Sequence, residues 1–201
     1  SHAKIAIHDN PLCLEWNPNG SLLGVTTKEK MIHILDPRGN KIEMSTKGCE
    51  SNKTQKMGFI GDREYIFNTG VNKSNERQIK LFDLRNFAEP ICVVPVDSQT
   101  GIMMPYYDAD TGLLYVPGRG EGNIKFYEYN NGSLKFASEY RSNVQQKGIA
   151  AFPKRTMNYN KCEIARFAKL SNNAIEYLSF YFPKRVKLFN IERRIRCFNL
   201  P

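Results

Sequence analysis

Hydrophobic and polar residues alternate along Gln78-Ile79-Lys80-Leu81-Phe82: Ile79 and Leu81 point one way, Gln78, Lys80 and Phe82 the other, and Asp83 closes the run. A period of two is that of a β-strand, and an acid at its end marks a turn. The pattern recurs. Ile32-His33-Ile34-Leu35-Asp36 lies 47 residues earlier and Ile124-Lys125-Phe126-Tyr127-Glu128 lies 45 residues later. A weaker copy, Ile164-Ala165-Arg166-Phe167-Ala168, follows after a further 40 residues. Spacing of this size between strands that end near an aromatic–acid pair predicts the blades of a β-propeller.

Taken in order, the chain predicts an all-β propeller fragment of about four WD-type blades, each of four antiparallel strands. Residues 3–7 alternate without a partner upstream and read as the last strand of a preceding blade. The first full blade spans 8–47, with a strong turn at Asn17-Pro18-Asn19-Gly20 and a second at Pro37-Arg38-Gly39-Asn40. The second spans 48–97, and its fourth strand carries Pro95, which suits an outermost edge. The third spans 98–141, turning at Asp108–Gly112 and at Asn130-Asn131-Gly132. The fourth, 142–184, is less regular and contains the basic loop Pro153-Lys154-Arg155. Asp36, Asp83 and Glu128 stand at equivalent places and read as blade-turn acids.

Composition adds a compartment and a charge. No run approaches the ~18 consecutive apolar residues of a membrane helix. Five scattered cysteines, Cys13, Cys49, Cys92, Cys162 and Cys197, show no C-x-x-C pair, and read as free thiols of a reducing, cytoplasmic compartment. The net charge is +9, of which residues 184–196 supply +5, six cations against Glu192. That favours acidic partners: a protein surface, anionic lipid or nucleic acid. In the basic tail 185–201, Leu188, Ile191 and Ile195 would share one face of a short amphipathic helix; a disordered, non-native end is the other reading.

Catalytic readings fail residue by residue. Gly118-x-Gly120-x-Gly122 follows a strand, but a dinucleotide loop needs a helix next, and Ile124–Tyr127 alternates as a strand. It reads as a flexible hairpin loop. His2, His8 and His33 are the only histidines, and none stands in a nucleophile–base motif. No cluster of His, Cys or carboxylates has metal-ligand spacing, so neither metal nor cofactor is expected. The chain reads as a non-enzyme.

At this point the residues resemble a known family. Asp9 through Asn17 with Asp36-Pro37-Arg38, Glu76-Arg77-Gln78-Ile79, Tyr106-Tyr107-Asp108-Ala109-Asp110 and Gly118–Ile124 are similar to coronin repeats. So is Asn160-Lys161-Cys162-Glu163-Ile164-Ala165-Arg166-Phe167-Ala168-Lys169-Leu170, which resembles the segment closing the coronin propeller. The resemblance covers about residues 3–184 in order and implies the last four blades of a seven-bladed, actin-filament-binding propeller. Residues 185–201 do not resemble the family's extension, and where its turn reads Gly-Lys-Gly-Asp this chain has Gly118-Arg119-Gly120-Glu121-Gly122.

The function expected from that likeness is an actin-filament-binding scaffold of the cytoskeleton. Arg119, Lys125, Lys147, Lys154, Arg155 and Lys161, in or near loops of the last two blades, are the candidate actin contacts. The alternative is a basic WD-repeat module for anionic lipid or nucleic acid. Nucleic acid is disfavoured because Tyr106, Tyr115 and Phe126 sit at core positions, where they cannot stack on bases. Four blades leave both end sheets uncovered, so a homodimer of half-rings is expected.

Overall fold

The computed structural model describes residues 4–50, 53–61, 64–182 and 196–199. Four antiparallel meander sheets follow one another along the chain. The first contains β1 (Pro11–Trp16), β2 (Leu23–Thr27), β3 (Met31–Asp36) and β4 (Lys41–Lys47). The second contains β5 (Lys56–Ile60), β6 (Tyr65–Val71), β7 (Arg77–Asp83) and β8 (Cys92–Asp97). The third contains β9 (Tyr106–Asp108), β10 (Leu113–Pro117), β11 (Ile124–Asn130) and β12 (Ser133–Tyr140). The fourth contains β13 (Gly148–Ala151), β14 (Glu163–Leu170), β15 (Ile175–Tyr181) and β16 (Arg196–Asn199). Helix is confined, among the described residues, to the 3₁₀ turns Lys154–Thr156 and Tyr159–Lys161.

The core lies between the sheets rather than under them. Leu22, Ile32 and Ile34 pack on Met57, Phe59, Ile66 and Phe82 across the first seam. Phe67, Ile79 and Leu81 meet Leu114, Val116 and Tyr127 across the second. Tyr115, Phe126, Phe167, Leu178 and Phe180 fill the third. The two sides of β7 therefore serve two seams: Ile79 and Leu81 face the third sheet, and Phe82 faces the first. Burial on both faces also explains why β10 is apolar throughout, since Leu113 and Tyr115 enter one seam while Leu114 and Val116 enter the other.

Proline sets one boundary and marks one edge strand. The third sheet begins at Tyr106 rather than Ile102, because Pro105 has no amide to continue the ladder; Met103 keeps only an isolated bridge to Gly118. Pro95 sits within β8, the outermost strand of its sheet, beside the register shift at Arg77/Gln78. The expected strand over residues 3–7 is not formed: Lys4–Ile7 adopts no regular structure. In the tail, Arg196–Asn199 is a strand paired with β15, so the fourth sheet draws its last strand from beyond residue 184. The helix expected through Leu188, Ile191 and Ile195 lies outside the described residues.

Turn acids divide. Asp36 Oδ1 accepts the Arg38 amide at 2.9 Å, and Asp83 Oδ1 accepts the Arg85 amide at 2.8 Å, the same turn in successive sheets. Glu128 is different. It lies inside β11, opposite Leu113 and Lys135, and the strand continues to Asn130 before Asn131 and Gly132 turn it with φ of 45° and 77°.

Candidate interaction surface at the ends of the sheets

A four-strand meander places its middle hairpin and its exit to the next sheet at one end, and its two other hairpins at the opposite end. At the first end the loops of neighbouring sheets interlock. A buried ion cluster holds the second and third sheets there. Arg77 at the start of β7, its side chain 2% exposed, forks onto Asp97 through Nε at 2.6 Å and Nη2 at 2.7 Å. It also bonds both oxygens of Glu121 and the Gly101 carbonyl. Lys125 Nζ reaches Asp97 Oδ2 and donates to the Val96 carbonyl at 3.1 Å. Burial opposes ionisation of Asp97, but hydrogen bonds from Arg77, Lys125 and the Gln99 amide outweigh it and hold the carboxyl at about 2.

The Gly118-x-Gly120-x-Gly122 loop is part of this architecture and is held firmly. Gly120 has φ +83°, a left-handed conformation costly for other residues. A Cβ on Gly122 would lie 1.8 Å from the Ser142 carbonyl oxygen, so only glycine lets the two loops touch. Buried Gln146 secures the rest: its Nε2 donates to the carbonyls of Gly118 at 3.0 Å and Asn123 at 2.8 Å, and its backbone carbonyl accepts the Gly120 amide at 2.7 Å. The loop expected to be flexible is thus braced by the connection between β12 and β13, which sequence alone could not bring to it.

The six candidate cations separate into three pairs. Lys125 and Lys154 act inside the fold. Lys154 Nζ bonds buried Asp108 and the Ile164 carbonyl, joining the third and fourth sheets. Arg119 and Lys147 are exposed and line one cleft of about 450 Å³ at the interlocked end, with Thr100, Ile102, Gln145 and Asn172. Arg155 and Lys161 are exposed at the opposite end, in the β13–β14 loop. A second cleft of about 460 Å³ there is lined by Thr156, Met157, Asn158, Tyr159, Asn160 and Arg166. None of these four exposed cations has an ion-pair partner among the described residues.

Tyr115 and Phe126 are buried and Tyr106 is packed into the third seam, ring against ring with Phe167. They offer no stacking platform. Cys49 is buried, and burial pushes its thiol up to about 11, so it stays protonated and unreactive. Among the described residues, no group of three or more His, Cys, Asp or Glu side chains is placed to hold a metal ion, and no helix is long and apolar enough to cross a membrane.

Four successive four-stranded meanders, packed face to face with interlocked loops at one end, define a segment of a WD-repeat β-propeller. No protein-family model matches the chain. Among known structures, the WD40 domain of a Toxoplasma gondii coronin superposes with a TM-score of 0.86 at 31% identity, covering 93% of this chain and 49% of that one. A dihydro-heme d1 dehydrogenase matches 87% of the chain with a TM-score of 0.62 at 13% identity and shares the fold alone. Coronin-2B of Xenopus tropicalis is 39% identical over 178 residues, 87% of this chain and 37% of its own length. Human coronin-2A is 39% identical over 190 residues, 91% of the chain and 36% of its own. Coronin-A of Dictyostelium discoideum is 37% identical over 177 residues, 87% and 39%. The chain belongs to the coronin family, and it spans little more than a third of the length of the curated relatives it matches.

Proposed function

We propose that the chain is an actin-filament-binding propeller module of the cytoplasmic actin cytoskeleton, a scaffold and not an enzyme. Its membership of the coronin family carries this reading. The exposed cations Arg119, Lys147, Arg155 and Lys161 supply the physical means, since an acidic filament surface attracts them and salt weakens the attraction. Lys125 and Lys154 are proposed as supports of the fold and leave the list of contacts, because each is already committed to an internal carboxylate. Cosedimentation with filamentous actin tests the reading. The pelleted fraction is expected to fall as salt rises, and Arg119→Glu/Lys147→Glu or Arg155→Glu/Lys161→Glu, compared with wild type, identifies the end that binds. Failure to pellet at low salt, with tight binding to anionic vesicles, would support the lipid-binding alternative instead.

A further inference from the structure

We infer that the cleft between Arg119 and Lys147 is a recognition site for an acidic protein segment, an extended peptide whose Asp or Glu carboxylate sits between the two cations. The inference rests on the reading of the chain as a binder of acidic protein and names the place and the chemistry by which one such contact is made.

Charge is the first support. Every acid of the described residues that the fold brings to this region is already engaged. Glu121 is held by Arg77, and Asp97 by Arg77 and Lys125. Glu139 bonds Asn123 and Arg141, while Glu176 lies 3.6 Å from buried Lys169. No carboxylate of the described residues pairs with Arg119 or Lys147, so both are open to an incoming carboxylate. A guanidinium can accept such a group through two parallel hydrogen bonds, and the ammonium opposite adds a point charge.

Rigidity is the second. The Arg119 amide donates to the Ile102 carbonyl at 2.9 Å and the Gly120 amide to Gln146 at 2.7 Å. The Gln146 amide donates to the Glu121 carbonyl at 2.8 Å, and the Lys147 amide to the Leu170 carbonyl at 2.7 Å. The backbone on which both cations stand is therefore fixed before any ligand arrives, which removes much of the ordering cost of binding. Shape is the third. The cleft runs between loops of the third and fourth sheets, and Thr100, Ile102, Gln145 and Asn172 complete its lining. A recessed cleft with both polar and apolar wall suits an extended peptide better than a bilayer surface.

Fluorescence anisotropy with a labelled Glu-rich peptide, and with its Gln-for-Glu counterpart, tests this on the 201-residue chain. The Glu peptide is expected to bind and the Gln peptide not to. Arg119→Ala and Lys147→Ala should each weaken binding about fivefold or more, the range of a single charge-assisted contact. Arg155→Ala, at the opposite end, should leave it unchanged; far-ultraviolet dichroism confirms that all variants fold. No binding of the Glu peptide, equal binding of the Gln peptide, or equal losses in Arg155→Ala would overturn the proposal. So would Arg119-dependent binding to phosphatidylserine vesicles without peptide binding. Actin cosedimentation of the same variants keeps the two readings apart. Wild-type pelleting without peptide binding sinks the cleft alone, and Arg119-dependent peptide binding without pelleting sinks the actin reading alone.

Discussion

Asp97 joins two cations that are far apart in sequence, Arg77 and Lys125, and its ionisation can be followed. Its carboxyl lies at about 2 in the fold against an ordinary 3.8. A depressed pKa stabilises the folded state above the ordinary value, and that contribution disappears as pH falls from about 4 towards 2. Asp97→Asn is expected to lower stability by about 2 kcal/mol at neutral pH. The gap between variant and wild type should narrow in urea melts at pH 4 and then pH 3. A gap that stays constant over that range would show that the charge of Asp97 is not what holds the second and third sheets. Little of this was legible from the residue list. Lys125 and Lys154 looked like free loop cations because their partners, Asp97 and Asp108, are 28 and 46 residues away. Only Arg119, Lys147, Arg155 and Lys161 remained as sequence suggested, exposed on loops.

At the scale of elements, each seam takes its strength from side chains facing sideways out of two sheets. Phe180 touches the rings of Tyr115, Phe126, Tyr140 and Phe167 and is fully buried. Phe136, on the outermost strand of the third sheet, is 58% exposed and contacts the Tyr127 ring. Phe180→Ala should therefore cost about 3–5 kcal/mol, and Phe136→Ala about 1 kcal/mol or less, in urea denaturation. Equal costs would mean that the third seam is not a packed core. Alternation made β3, β7 and β11 recognisable beforehand, whereas β10, buried on both faces, carries no period of two. Their edges were less readable. The first strand of the third sheet needed the positions of both Pro105 and its partner β10 to be located.

The whole molecule has two apolar ends. Leu12, Leu14 and Trp16 on β1 are 37%, 58% and 53% exposed, and at the other end Leu170, Ile175 and Tyr177 are 47%, 61% and 51% exposed. Corresponding positions at the three internal seams are covered by the next sheet. Water-exposed apolar area of this kind favours association at about 25 cal/mol per Å² removed from water. We propose that the 201-residue chain by itself pairs with a second copy through these faces, half-ring to half-ring. Light scattering at micromolar concentration is expected to give about twice the 23.1 kDa chain mass. A clean monomer, or a mass that climbs without limit, would show that a second copy does not close the faces.

What the amino-acid order determined by itself was whatever is local or periodic: the strands, the turns at Asp36 and Asp83, four repeats about 40–45 residues apart, and the coronin likeness carried by short motifs. These signals survive in one dimension because the side-chain period and turn chemistry depend only on near neighbours. Tertiary structure alone decided what neighbouring sheets do to each other. It turned the Gly118–Gly122 loop from a flexible hairpin into a braced one, because Gln146 and Ser142, in the connection from β12 to β13, approach it. It moved Glu128 out of a turn, added β16 to the fourth sheet, and divided the six cations into supports and free charges. Such outcomes depend on which carboxylate or carbonyl lies within about 3 Å of a side chain. Contacts across a seam join residues tens of positions apart, and no local period encodes that distance.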